Sequence, residues 1–122
     1  MDYGRKTTGG KYHRSKKKKK YELVRQPRIV KLKETKRKTI RTRGGNEKSV
    51  LLGANKVNVT DPKTHKTKVY SIKNVIETPS NRFLARQNVL TKGAIIETED
   101  NRKVRITNRP SQEGSVQGIL ID

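Results

Sequence analysis

Residues 1–43 hold 18 Lys and Arg against three acids, Asp2, Glu22 and Glu34, a net charge of +15. Self-repulsion at that density disfavours collapse of the segment onto itself. Residues 44–122 carry 13 basic and eight acidic residues, which adds +5 and completes the +20 of the chain. The charge therefore divides the chain into a basic N-terminal extension, residues 1–43, and a body, residues 44–122. A dense array of phosphates would neutralise the extension and release condensed counterions, a large favourable term. Nucleic acid is the first partner this distribution implies.

The body has to fold on limited means. Hydrophobic residues make up 29% of the 122-residue chain, below the roughly 45–50% of ordinary globular domains, a range that also counts glycine. Most of them follow residue 49. A body of this size buries only about 60% of its unfolded surface. With no cysteine in the chain, disulfides and thiolate metal sites are excluded. No run approaches the roughly 18 apolar residues of a membrane span, and the N-terminus shows no apolar signal-peptide core.

The apolar pattern after residue 49 is of β type. Ser49 to Thr60 is rich in Val and Leu, with Val57 and Val59 alternating against Lys56, Asn58 and Thr60, and Gly53 marks a bulge. Asp61-Pro62 opens a polar turn, and Val69 to Ile76 reads as a second strand. Ser80 or Asn81 caps one short helical turn through Phe83, Leu84 and Arg86. Thr39 to Arg43 reads as a short basic strand ended by Gly44-Gly45-Asn46. Ala94–Thr98 and Lys103–Thr107 form a hairpin. A two-residue loop would set Ile96 against Arg105. The register expected here, with a loop from Asp100 to Arg102, pairs Ile96 with Ile106 and Thr98 with Val104. It also pairs Glu97 with Arg105 and Glu99 with Lys103, so burial and charge agree. Val116 to Ile121 is a nearly continuous apolar run, the pattern of a strand buried on both faces. The fold class expected is mainly β, a small β-barrel of short, mostly antiparallel strands behind a largely irregular extension.

The chain lacks the parts of an enzyme. His13 and His65 are the only histidines and stand far apart, so no metal site is expected. Glu97 and Glu99 share a strand face opposite basic residues, an ion-pair ladder rather than a catalytic carboxylate pair. Thr7-Thr8-Gly9-Gly10-Lys11 lacks phosphate-loop spacing. Asn58-Val59-Thr60 matches the glycosylation acceptor pattern by chance. No enzymatic activity, cofactor or small-molecule substrate is expected.

What remains is the positive field. Residues 1–20 contain no Leu, Ile, Val, Phe or Trp, so they offer no stripe for a membrane. No strong helix is available for a DNA major groove. RNA suits an extended basic segment best, and 43 residues reach on the order of 140 Å when extended. The residues expected to bind it are Arg5, Lys6, Lys11, Arg14, Lys16, Lys17, Lys18, Lys19, Lys20, Arg25, Arg28, Lys36, Arg37, Lys38, Arg41 and Arg43. Lys92 and Arg109, in loops beside Gly93 and Pro110, are added from the body. Tyr3, Tyr12 and Tyr21, nine residues apart and set among cations, are candidates to stack on unpaired bases.

Several segments in order also carry a family resemblance: Arg5-Lys6-Thr7-Thr8-Gly9-Gly10, Lys20-Tyr21-Glu22-Leu23, Arg43-Gly44-Gly45-Asn46-Glu47-Lys48, Lys92-Gly93-Ala94-Ile95-Ile96-Glu97-Thr98 and Thr107-Asn108-Arg109-Pro110-Ser111-Gln112-Glu113-Gly114. Over nearly its whole length the chain resembles the small-subunit ribosomal protein family "S eight, e-type", in the archaeal-length form. It departs at Val24 and Ser111, where the family often has glycine. The resemblance implies a structural constituent of the cytoplasmic small ribosomal subunit, with rRNA and neighbouring ribosomal proteins as partners and no catalysis. It implies a β-barrel body and a basic arm that becomes ordered on RNA. Two other readings remain: a ribosome-assembly factor on the same barrel, and a nonspecific nucleic-acid-compacting protein.

Overall fold

The computed structural model describes residues 4–13, 16–24 and 26–121. Among these described residues eight strands follow in chain order: β1 (Lys31–Leu32), β2 (Lys36–Arg41), β3 (Glu47–Ala54), β4 (Lys56–Thr60), β5 (Thr67–Glu77), β6 (Ile95–Thr98), β7 (Lys103–Ile106) and β8 (Gln117–Ile121). The last five form a closed barrel in the order β4-β5-β6-β7-β8. Neighbours are antiparallel except at the seam, where β4 and β8 run parallel. Closure removes the unpaired edges that would otherwise invite aggregation. The first three strands make a separate sheet, β1-β3-β2.

Alternation of the strand residues fills the barrel. Val57, Ala94, Ile96 and Val104 are fully buried, with Ile106, Val59 and Val116 nearly so. A side chain of this kind stabilises by about 1.5–3 kcal/mol when fully buried. Thr98 is a polar residue fully buried here; its Oγ1 accepts the Arg102 N–H at 3.2 Å and lies 3.3 Å from the Arg102 carbonyl. The short helix α1 (Arg82–Arg86) is capped as expected: Asn81 Oδ1 accepts the Phe83 N–H at 3.0 Å.

Three details differ from the sequence reading. The stretch from Ser49 to Thr60 is two strands rather than one, divided at Asn55. Gly53 does stand at a register shift, with Lys36 opposite it and Arg37 opposite Leu51. A Cβ there would meet the Glu34 carbonyl at 3.0 Å, a tighter contact than is usual, so the close approach favours glycine.

The β6–β7 hairpin takes neither register considered. Ile96 faces Val104, and Glu97 faces Lys103 rather than Arg105. Thr98 and Arg102 close a three-residue loop, Glu99 to Asn101, so Glu99 is not in the ladder. This register lies two residues from the expected one, which leaves every side chain on the same face. Burial therefore cannot separate the two. The loop decides, because Asn101 takes φ 56°, the left-handed position that three-residue hairpins demand and that Asn tolerates. Glu97 pairs across to β5 instead, with its carboxylate 3.5 Å from Lys73 Nζ.

Strand β8 is buried on one face only. Val116 and Gly118 point inward, while Ile119 and Ile121 are 43% and 36% exposed. Gly118 is inside because nothing larger fits: a Cβ would lie 2.5 Å from a Val104 methyl and 2.9 Å from the Arg105 carbonyl.

The join between extension and body is extensively paired. Val30 is 1% exposed and belongs to the same core cluster as the barrel residues. Leu90 donates its N–H to the Val30 carbonyl at 2.8 Å, and Leu32 donates to Asn88 at 2.9 Å. β2 pairs with β3 from Lys36 to Arg41. Hydrogen bonds thus cross residues 43 and 44, and the basic segment is anchored from Val30 onward.

Candidate nucleic-acid interface

The part of the extension before that anchor is an open chain with local turns. Every described residue from Gly4 to Val24 is exposed. Glycine allows the first turn: Gly9, at φ 80°, donates to the Lys6 carbonyl, Lys6 donates to Gly10, and Arg5 and Lys11 form a bridge. A second turn spans 19–22. There the Glu22 carboxylate accepts the Lys19 N–H at 2.8 Å, and the Glu22 N–H returns to the Lys19 carbonyl.

Both turns set a lysine against a tyrosine. Lys6 Nζ lies 5.7 Å from the centre of the Tyr12 ring and Lys19 Nζ 5.8 Å from that of Tyr21. These are cation–π distances. Tyr12 and Tyr21 are 53% and 71% exposed, so ring surface stays open beside a cation. Such a pair can stack on a base and hold its phosphate. Of the residues expected to contact RNA, Tyr3, Arg14 and Arg25 lie outside the described residues.

The second turn meets the anchored sheet. Lys20, Tyr21 and Leu23 share a concavity of about 500 Å³ with Arg41, Thr42 and Arg43. Thr42 shapes its far wall: both its N–H and its hydroxyl reach the Asn46 carbonyl, at 2.7 and 3.0 Å, around a 3-10 turn at Arg43–Gly45. Gly44 and Gly45, at φ 77° and 79°, make that turn possible. Cations from two separate stretches of the sequence, Lys20 on one and Arg41 and Arg43 on the other, thus flank one tyrosine.

The other predicted residues are placed separately. Lys36, Arg37 and Lys38 are exposed along β2, the edge strand of its sheet, where neighbouring side chains point to opposite faces. Arg28 is half-buried and donates from Nε to the Ser111 carbonyl at 3.0 Å, which ties the extension to the body. Lys92 and Arg109 are exposed on barrel loops and do not line the concavity.

Two groups of residues were not anticipated. Phe83 is 57% exposed, with the Arg82 guanidinium 5.5 Å from its ring. At the barrel mouth Lys66, Lys68 and Arg102 gather around Tyr70. The Arg-Phe neighbours could have been noticed in the sequence, whereas the barrel mouth joins two separate loops and needs the fold.

No group of three or more His, Cys, Asp or Glu able to hold a metal occurs among the described residues. No helix there is long and apolar enough to cross a membrane. The Asp61 carboxyl is held below the usual value of 3.8, first by the backbone N–H of Lys63 and then by the Thr64 hydroxyl. It closes a turn and has the contacts of a structural residue.

Comparison with known proteins adds a consistent result. The family model described as Ribosomal protein S8e matches residues 2–121. A protein of Methanobrevibacter smithii, named small ribosomal subunit protein eS8, is 48% identical over 85% of this chain and 82% of its own length. Proteins of the same name from Nanoarchaeum equitans and Methanococcus aeolicus are 49% and 48% identical. They cover 93% and 97% of this chain, and 89% and 92% of their own lengths.

Proposed function

Because the chain belongs to the ribosomal protein S8e family, we propose that it binds the rRNA of the small ribosomal subunit through its basic arm while the barrel anchors that arm. The family makes it a structural ribosomal constituent and not an enzyme. The finer reading, with its division of labour between residues 1–43 and 44–122, rests on one observation above all: charge and core are separated. Residues 4–24 are exposed wherever described, and the 18 Lys and Arg of residues 1–43 have three acids to offset them.

Each part then has a physical role. The arm neutralises phosphates by counterion release. Tyr12, Tyr21 and their lysines offer stacking surfaces, and the concavity at Arg41 and Arg43 receives backbone where arm and sheet meet. Arg28 and Val30 fix where the arm leaves the barrel. Neighbouring ribosomal proteins complete the set of partners.

The test removes charge without touching the core. Replacing Lys16 to Lys20 by Gln in the full chain should weaken binding to small-subunit rRNA at every sequence position alike. It should also lower the slope of log affinity against log salt, by up to about 1 for each phosphate no longer neutralised. Thermal unfolding should be unchanged. An unchanged salt slope would sink the arm model.

A further inference from the structure

The geometry points to a second RNA contact, resting on the rRNA reading above but separate from the arm: the open mouth of the barrel is a pocket for one unpaired rRNA nucleotide. The cavity there measures about 200 Å³. Its floor is apolar, made by Val59, Leu120 and the ring of Tyr70, and its rim carries Lys66, Lys68 and Arg102. Tyr70 and Leu120 are partly buried and pack against the core, which braces the floor.

The placement of Lys68 is the observation that asks for a ligand. Inward and outward positions alternate along a barrel strand, and inward ones are ordinarily apolar. Lys68 stands opposite Val59, which is 2% exposed, and lines the mouth with it. Its neighbour Val69 points outward and is 63% exposed. The charged residue thus takes the interior phase and the apolar one the solvent phase. Such a reversal of local pattern is expected at functional positions.

The chemistry selects the occupant. Small-molecule pockets usually enclose about 300–1,000 Å³, so this one suits a single heterocyclic ring. Arg102 lies with its guanidinium 5.8 Å from the centre of the Tyr70 ring and its Nη1 3.4 Å from the Tyr70 hydroxyl. Arginine and tyrosine planes are the surfaces on which splayed-out bases stack. Lys66 and Lys68 at the lip suit the flanking phosphates. A protein carboxylate would leave the apolar floor unused, whereas a nucleotide uses both floor and rim. Asp61 also lines the cavity, but its two carboxylate oxygens are engaged by the Lys63 N–H and the Thr64 hydroxyl.

The decisive experiment compares two double variants of the full chain on a small-subunit rRNA transcript. One is Lys68→Ala with Arg102→Ala. The other, Lys103→Ala with Arg105→Ala, removes the same charge from the exposed face of β7. Filter binding and nucleotide-resolution chemical probing are read together. The mouth variant should bind about tenfold more weakly than its control. One unpaired nucleotide protected by the wild type and the control should become reactive. Equal affinities with identical protections overturn the pocket. If the Lys16–Lys20 replacement still weakens binding in that case, the arm reading stands and this one alone falls. A wild-type chain that protects no nucleotide overturns both. Should Arg102→Ala disturb folding, Lys68→Ala against Lys103→Ala makes the same comparison.

Discussion

The arm and the barrel use charge in opposite ways. From Gly4 to Val24 every described residue is exposed, and the order that exists comes from two glycine- or glutamate-closed turns. In the barrel, cations lie outside a core in which Val57, Ala94, Ile96 and Val104 are fully buried. The arm has charge and no core, so a partner must supply its order. The barrel has a core and modest charge, so it folds on its own contacts. Between them lies Val30 to Arg43, as basic as the arm and yet buried at Val30 and paired along β2. Composition alone does not separate the two regions; contact with the body does.

The sharpest way to break this comparison is by truncation. Removing residues 1–20 should leave the urea midpoint nearly unchanged, the unfolding free energy staying within the ~0.5 kcal/mol of ordinary surface changes. Removing 1–41 strips β3 of both partner strands and empties the Val30 site. That should cost several kcal/mol, on the scale of large core deletions. Equal midpoints for the two truncations would show that Val30 and β2 belong energetically to the arm.

A smaller effect separates the regions through glycine. Gly118→Ala places a methyl 2.5 Å from Val104, and overpacking of this kind costs about 1–3 kcal/mol. Gly9→Ala meets nothing within 4 Å. Although it strains the local turn at φ 80°, it should leave the melting temperature of the barrel unchanged. A barrel indifferent to Gly118→Ala would mean that β7 and β8 can move apart.

The smallest effect is one of pH. The folded-state pKa of Asp61 is depressed below 3.8 by hydrogen bonds to Lys63 and Thr64. Its contribution to stability is therefore present in full above about pH 4 and lost as the pH falls through the lower folded value. Asp61→Asn should flatten the acid limb of stability slightly. Acid titrations monitored by circular dichroism for the two chains would check this.

Much of the fold was readable because it rests on local pattern. The alternation at Val57 and Val59 marked a strand there without its break from β3, the helix cap was legible as Ser80 or Asn81, of which Asn81 caps, and Gly53 marked the bulge. The errors share a cause. The β6–β7 register slipped by two residues because such a slip preserves the face of every side chain and still sets Glu97 against a cation, and the left-handed Asn101 distinguishes the two. The apolar run from Val116 to Ile121 had no alternation to read, so the outward direction of Ile119 and Ile121 was hidden. For the candidate interface, the sequence named Lys20, Tyr21, Arg41 and Arg43 but not their meeting, and it passed over Lys68 and Arg102.

Charge density and residue period are properties of neighbours along the chain. Hence the sequence by itself determined that this protein has a basic arm, a β body and no catalytic machinery of a recognisable kind. Tertiary structure alone decided the parallel β4–β8 seam, the anchoring of Val30, the inward phase of Lys68 and the gathering of Arg41 and Arg43 beside Tyr21. Each of those depends on which distant strand packs alongside. A two-residue period fixes the face of a side chain but leaves its partner open.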